Sequence, residues 1–211
     1  MRIYINPLTV NSIKVLLLCN AINIEPEYKL VALNKGEQRS EAYLAINPEG
    51  KVPVLLDDGF ALTESNAILQ YLANKHQSNL WPLDLINQAK VLSILSWQSN
   101  YFISGVSPYA HLKVTMPFWG AQTHNMGIQE ITKFHQAVSA LETTLKENKF
   151  LTGESISIAD VSFSAFFIFA ARAEMPLEKY PLVQAWLNNI SKQKWFIKTK
   201  LDLENILNND K

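Results

Sequence analysis

The chain has 211 residues, 48% of them hydrophobic, with 19 basic and 19 acidic side chains and no formal net charge. That length suits one large domain or two small ones with an ample core, and the charge balance leaves no bulk field to draw nucleic acid or an anionic membrane. The single cysteine, Cys19, excludes an intrachain disulfide and any CxxC redox or zinc site, and points to a reducing compartment, by default the cytoplasm.

Arg2 to Asn6 reads as a strand, and a helix follows from about Asn11. The apolar run Val15 to Cys19 within it is flanked by Pro7, Asn11 and Ser12 before and by Asn20 and Asn23 after. It carries no small-residue cleavage site, so it reads as a core helix and not a signal peptide. Tyr28 to Leu33 is a second strand, Ser40 to Ala45 a short helix, and Val52 to Leu56 and Phe60 to Leu62 two more strands. Asp58-Gly59 between the last two is a strong hairpin signal, because both residue types tolerate the positive φ of such turns. A helix from about Glu64 to Lys75 closes the first half. Strands and helices alternate in this half as in an α/β domain with a mixed sheet, and the order matches the thioredoxin-like fold.

After a polar connector, His76 to Pro82, the 3.6-residue period takes over, as in Ala89, Leu92 and Leu95, and nothing strand-like recurs. Pro108 and Pro117 should kink or end the first long helix, since each lacks a backbone donor. Further helices are expected at Gln122 to Glu147, Ser157 to Ala173, Leu182 to Ser191 and Trp195 to Leu207, with a polar, frayed tail at 208–211. Val161 to Ala173 is apolar all round, yet Arg172 and Glu174 close it short of the ~20 residues of a membrane span, so it belongs inside the protein. Ser157 and Asp160 have capping-box spacing, with Ile156 and Val161 placed as a hydrophobic staple. The expected division is residues 1–77, a linker at 78–86, and an all-helical part at 87–211.

Three stretches carry a family resemblance: YINPLTVNSIKV from Tyr4 to Val15, NPEGKVPVLLDDGFALTESNAI from Asn47 to Ile68, and SIAD from Ser157 to Asp160. In this order and spacing the chain resembles a cytosolic-type glutathione S-transferase from Arg2 to about Leu207. The resemblance implies a thioredoxin-like N-terminal domain joined to a C-terminal helical-bundle domain, a homodimer, glutathione as co-substrate and no metal. The implied activity is conjugation of the glutathione thiolate to hydrophobic electrophiles in detoxification. A glutathione-dependent peroxidase or disulfide reductase, or a non-enzymatic glutathione-binding protein of the same fold, are the alternatives.

The resemblance also assigns residues. It implies a cis bond between Val52 and Pro53, with the backbone of Val52 turned out to hold glutathione as an added strand. Ser65, at the start of a helix where free N–H groups and the dipole favour an anion, would take the γ-glutamyl carboxylate, and Glu64 the adjacent ammonium. Gln38, Arg39 and Lys51 match the positions that hold the glycyl carboxylate; Gln38 brings no charge there. A free thiol with a pKa near 8.5 is only about 3% ionised at neutral pH. Lowering that pKa by about two units needs ~2.7 kcal/mol, which one charge-assisted hydrogen bond of ~1.5–3 kcal/mol at a helix start supplies. Thr9, where serine-type members place their catalytic serine, is the first candidate for that donor, Asn11 the second and Ser12 the third. Tyr4 is off register for the tyrosine of other classes, the matching position being Ile5.

A second substrate would occupy an apolar cleft lined by Leu8 and Tyr101, with Phe102, Pro108 and Trp119 behind. Cys19 lies too deep in its helix to be a nucleophile and reads as a buried structural thiol. His76, His111, His124 and His135 show no metal-ligand spacing, and His124 and His135 read as exposed surface residues. No GxSxG, Walker or dinucleotide motif is present.

Overall fold

In a computed structural model describing residues 1–209, strand β1 (Arg2–Ile5) leads through a short turn into helix α1 (Val10–Ala21). Strand β2 (Glu27–Leu30) and the short helix α2 (Glu41–Leu44) come next. The hairpin of β3 (Val54–Asp57) and β4 (Phe60–Leu62) and helix α3 (Ser65–Lys75) complete the first half. The sheet order is β2-β1-β3-β4, with β1 parallel to β2 and antiparallel to β3, and β4 antiparallel to β3. This is the thioredoxin-like arrangement expected from the sequence. Asp58 and Gly59 both take positive φ, 45° and 87°, as a two-residue hairpin turn between right-twisted strands demands.

Helix α1 is apolar on more than one face because it is covered from several sides. It packs on α3 and also on two helices of the second half, α8 (Ile158–Phe167) and α10 (Lys194–Asn209). Ile13, Val15, Leu17, Leu18 and Cys19 are all at most 1% exposed. The other face of the sheet is closed by Tyr43 of α2 against Val31 and Val54.

The second half begins with one long rod. Helix α4 (Leu85–Trp97) runs through a π-helical turn at Gln98–Phe102 into α5 (Ile103–Ala110), then through a second at His111–Thr115 into α6 (Met116–Phe118). Pro108 therefore sits inside a continuing helix instead of ending it. The widened turns keep the rod going, and Phe102 anchors it in the core with its ring 4.8 Å from Phe163 and edge-on to Phe166. Pro117 lies in the last turn of the rod, which ends at Phe118 as a residue without a backbone donor favours.

Helix α7 (Ile128–Thr144) starts six residues later than the periodicity suggests. Its stop signal is Glu130, whose carboxylate reaches back to accept the N–H of Gly127 at 2.6 Å and fixes the start there. Helix α8 is buried along its full length but ends at Phe167, not Ala173. Ile168 and Phe169 stay in the core while Ala171 and Arg172 are exposed, in turns that finish at Glu174 (φ 52°), and the apolar stretch up to Ala171 carries no stop signal. Helices α9 (Pro181–Ile190) and α10 complete the fold. Asn208 and Asn209 still belong to α10, so the expected fray does not begin at Asn208; residues 210 and 211 lie outside the described residues. No helix among the described residues is long and apolar enough to cross a membrane.

Helices α5 and α7 touch at Gly105. A β-carbon there would lie 2.6 Å from the carbonyl oxygen of Lys133 and 2.9 Å from Cβ of Ala137. Gly105→Ala is thus expected to force the helices apart and lower stability by about 1–3 kcal/mol, read as a shift of the denaturation midpoint at unchanged slope.

Candidate functional site

The turn before β3 is built by local side chains. Asn47, 3% exposed, accepts the N–H of Glu49 at 3.1 Å and donates to the carbonyl of Lys51 at 2.9 Å; the Tyr43 hydroxyl donates to that same carbonyl at 2.7 Å. Gly50 (φ 62°) is needed where it stands, since a β-carbon would meet the backbone oxygen of Gln38 at 2.9 Å. The chain then enters the cis Val52–Pro53 bond. β3 begins at Val54, two residues after the Val52 start expected from the sequence, so both residues of the cis bond precede the strand.

Glu64 stands before α3 with φ 64° and ψ 111° and has no side-chain hydrogen bond to the helix it precedes. Such a backbone costs on the order of 1–3 kcal/mol for a residue with a side chain, and residues of this kind cluster where ligands are held. Ser65 is the first residue of α3, 6% exposed, and its hydroxyl donates to Oδ1 of Asn11 at 3.3 Å. The first turn leaves its backbone N–H groups free as donors, an arrangement that suits an anion.

The start of α1 faces this turn. Thr9 is the N-cap: its Oγ1 accepts the N–H of Ser12 at 3.4 Å, and its one proton is shared between the carbonyl of Asn6 at 3.0 Å and Oγ of Ser12 at 2.8 Å. Ser12 is fully buried, and its oxygen also accepts the N–H of Asn6 at 3.2 Å. Asn11 occupies the hinge between two recesses. One is shallow and lined by Asn47, Lys51, Val52, Pro53, Glu64 and Ser65; the other is a cleft of about 400 Å³ lined by Leu8, Thr9, Gln38, Ser107, His111 and Trp119 among others.

The structure brings Thr9, Asn11, Val52, Pro53, Lys51, Glu64, Ser65 and Leu8 around these two adjoining recesses. Gln38 lines the cleft, not the shallow recess, and its Oε1 is buried without a partner among the described residues. Arg39 is exposed and lines neither. Lys51 is exposed and pairs with Glu49 at 2.7 Å, which holds its ammonium pKa above the usual lysine range. Tyr101 lies apart, 69% exposed, in a groove with Trp97, Ser104 and Lys133. The cleft wall comes instead from Ile103, Ser107, His111 and Thr115, which the second π turn helps to present. The sequence signal for them was Pro108: a proline inside a strong helical pattern marks a place where the helix must widen or bend.

Cys19 is fully buried, and burial pushes its thiol up to about 11, as befits an inert side chain. His135 is half-buried, not exposed, with Nδ1 2.7 Å from the Tyr180 hydroxyl. Sequence reasoning passed over Lys14, 1% exposed within α1, the buried Gln98 whose oxygen it donates to, and the buried Ser162 that donates to the same oxygen. The signal was present, since a lysine inside Ile13-Lys14-Val15-Leu16-Leu17-Leu18 has no solvent-facing stripe to occupy.

A family model described as the glutathione S-transferase N-terminal domain matches residues 1–74, and one for the C-terminal domain matches residues 109–194. Glutathione S-transferase theta-1 of Rattus norvegicus is 34% identical over 174 residues, 80% of this chain and 72% of that protein. Glutathione S-transferase hmp2 of Hypomyces subiculosus is 30% identical over 180 residues, 82% and 85% of the respective chains. Among solved structures, human glutathione transferase theta-2, in complex with glutathione and an unknown ligand, superposes with a TM-score of 0.84 at 26% identity, over 99% of this chain and 89% of that one.

Proposed function

The chain belongs to the glutathione S-transferase family, and from that premise we infer that it is a glutathione transferase that ionises the thiol of its co-substrate and passes it to an apolar electrophile, in detoxification. The observation that carries this reading is the position of Asn11, shared by the shallow recess and the cleft. A tripeptide laid along Val52, with its γ-glutamyl carboxylate at Ser65 and its ammonium at Glu64, would bring its cysteine to Asn11, at the mouth of the cleft. In this reading residues 1–77 hold glutathione, and the part beyond the linker at 78–86, residues 87–211, supplies most of the wall for the acceptor.

The backbone N–H and C=O of Val52 have no protein partner among the described residues, which suits main-chain pairing with an extended peptide. At the glycyl end Lys51 is the nearer cation, with Arg39 and Gln38 in weaker positions. We place the thiolate donor at Asn11 before Thr9. The Thr9 proton is already engaged by Asn6 and Ser12, whereas the Asn11 carboxamide uses its oxygen toward Ser65 and leaves its N–H₂ without a partner among the described residues. The protein is proposed to work as a homodimer in the cytoplasm. An exposed apolar stretch, with Leu83, Leu85 and Ile86 exposed by 97%, 80% and 71%, leads to a groove between α4 and α7 and would suit a second copy.

Calorimetry with reduced glutathione, paired with turnover of a chlorinated aromatic, tests the reading. Uptake at or below millimolar concentration with conjugation is the expected result. Uptake with turnover only of a hydroperoxide or a mixed disulfide would replace the transferase step, and no uptake would remove the site.

A further inference from the structure

The Lys14 ammonium has no carboxylate within ion-pair reach among the described residues, although it is 1% exposed. It donates to Oε1 of Gln98 at 2.7 Å and to Oδ1 of Asn66 at 3.5 Å, and lies 5.2 Å from the centre of the Phe166 ring. The same Gln98 oxygen accepts Nδ2 of Asn66 at 3.2 Å and the Ser162 hydroxyl at 2.9 Å. Asn66 reaches further, to the carbonyl of Leu95 at 3.2 Å and Oγ of Ser99 at 3.1 Å, while Ser162 can also donate to it at 2.8 Å. One buried cluster thus ties α1, the first turn of α3, the π turn at Gln98–Phe102 and α8.

Asn66 is also next to Ser65, and it is the side chain that fastens the strained Glu64–Ser65 turn to the helical half. Packing alone would be better served by a methionine of similar length, because a buried ammonium bonded only to neutral oxygens is a poor stabiliser. Desolvation pulls the lysine down to about 7, and the charge of Glu64 pulls it back up. Glu64 is the facing acid. Asp160, on α8, is turned to Leu151, Ser157 and Trp186, and α10 meets α1 through the neutral pair Asn20–Thr199 at 2.7 Å.

We propose that Lys14 is a positioning residue for glutathione: its ammonium clamps Asn66, so holding the Glu64–Ser65 turn in its receiving conformation, and places positive charge behind the helix start where the γ-glutamyl carboxylate docks. The proposal rests on the glutathione reading above. The cation is present below neutrality and fades above it, so affinity for the tripeptide falls as pH rises through about 7.

S-Methylglutathione, which has no titrating thiol, is the probe, with its Kd measured by calorimetry below and above neutrality. In the wild type it is expected to bind more weakly at the higher pH. Lys14→Met is expected to fold with an undiminished melting temperature, to bind about tenfold more weakly at the lower pH with no pH step, and to keep kcat at saturating glutathione within about threefold. Gln98→Glu gives a second reading should Lys14→Met fail to fold. The Nε2 it replaces is buried without a partner among the described residues, so no hydrogen bond there is lost, and the new carboxylate keeps Lys14 charged. In that variant the pH step should move well above neutrality, with affinity lowered by at most a few-fold because the added carboxylate offsets part of the lysine's charge while leaving its hold on Asn66. An unchanged Kd in Lys14→Met, or a step that stays near pH 7 in Gln98→Glu, overturns the proposal. Failure of the wild type to bind S-methylglutathione at either pH would instead overturn the glutathione reading itself.

Discussion

Asp160→Ala is expected to lower the free energy of unfolding by about 3–5 kcal/mol. Asp160 is fully buried at the start of α8 and accepts four hydrogen bonds: from the N–H of Leu151 (2.9 Å), the N–H and hydroxyl of Ser157 (2.9 and 3.1 Å) and Nε1 of Trp186 (2.9 Å). Alanine would strand three of those donors, two backbone N–H groups and an indole, in an interior where each unsatisfied group costs about 1–3 kcal/mol. The Ser157 hydroxyl has other options, such as Thr152, whose hydroxyl is 3.1 Å away.

The loss is a large share of the about 5–15 kcal/mol that holds a domain together. Asp160→Asn should fall between the two, since one carboxamide oxygen can serve two donors while its N–H₂ faces the others. Chemical denaturation of the three proteins side by side measures it. Equal stability of the wild type and Asp160→Ala would show that the capping box contributes nothing beyond an ordinary helix start of about 1 kcal/mol. Burial pushes the Asp160 carboxyl up, against the pull of its four donors.

Asn11→Ala is expected to reduce turnover at neutral pH by about 10- to 25-fold. If the bound thiol sits about two units below its free value, it is roughly 75% ionised at pH 7; without the donor the fraction returns to about 3%. The deficit should shrink as pH rises, because above the free thiol's pKa both proteins hold a thiolate. Glutathione affinity should change only a few-fold. Thr9→Ala is expected to behave differently. It removes the N-cap of α1, at about 1 kcal/mol of stability, and should lower turnover by no more than about threefold while leaving the pH profile in place. Steady-state pH–rate profiles of the two variants decide between them. A deficit that is larger in Thr9→Ala and is recovered at high pH would return the donor role to Thr9.

The first half of the chain was legible because its signals are local. The Asp58-Gly59 turn, the period-two runs around it and the Glu64-Ser65 break each specify one element within a few residues, and the antiparallel pairing of the last two strands followed from that turn. The second half was legible in kind but not in extent. A largely apolar run such as Val161–Ala173 looks the same to the sequence whether it continues as helix or folds into turns, and only tertiary packing ends α8 at Phe167. The start of α7 was missed although Gly127 and Glu130 mark it, because the polar stretch Gln122–Asn125, which carries no apolar period, was read as its first turn.

The candidate site divides in the same way. Ser65 and Glu64 could be placed at a helix start from their own neighbourhood, whereas the roles proposed for them and for Val52 toward glutathione came from the family resemblance. Tyr101 could not be placed, because it lies within the π turn at Gln98–Phe102, where the widened backbone points side chains away from the direction an ideal helix would give them. The Lys14 cluster draws on residues as far apart as 14 and 162, and its partners, Asn66, Gln98 and Ser162, look individually like unremarkable surface polar residues until the fold buries them.

Ultraviolet absorbance of the thiolate, followed as glutathione bound to the wild-type protein is titrated with acid and base, bears most directly on the central claim that this site binds the tripeptide and ionises its sulfur beside Asn11. The account predicts a bound thiol that titrates about two units below the free one, near 6.5, and that moves back toward the free value in Asn11→Ala. A bound thiol that titrates where free glutathione does would contradict it.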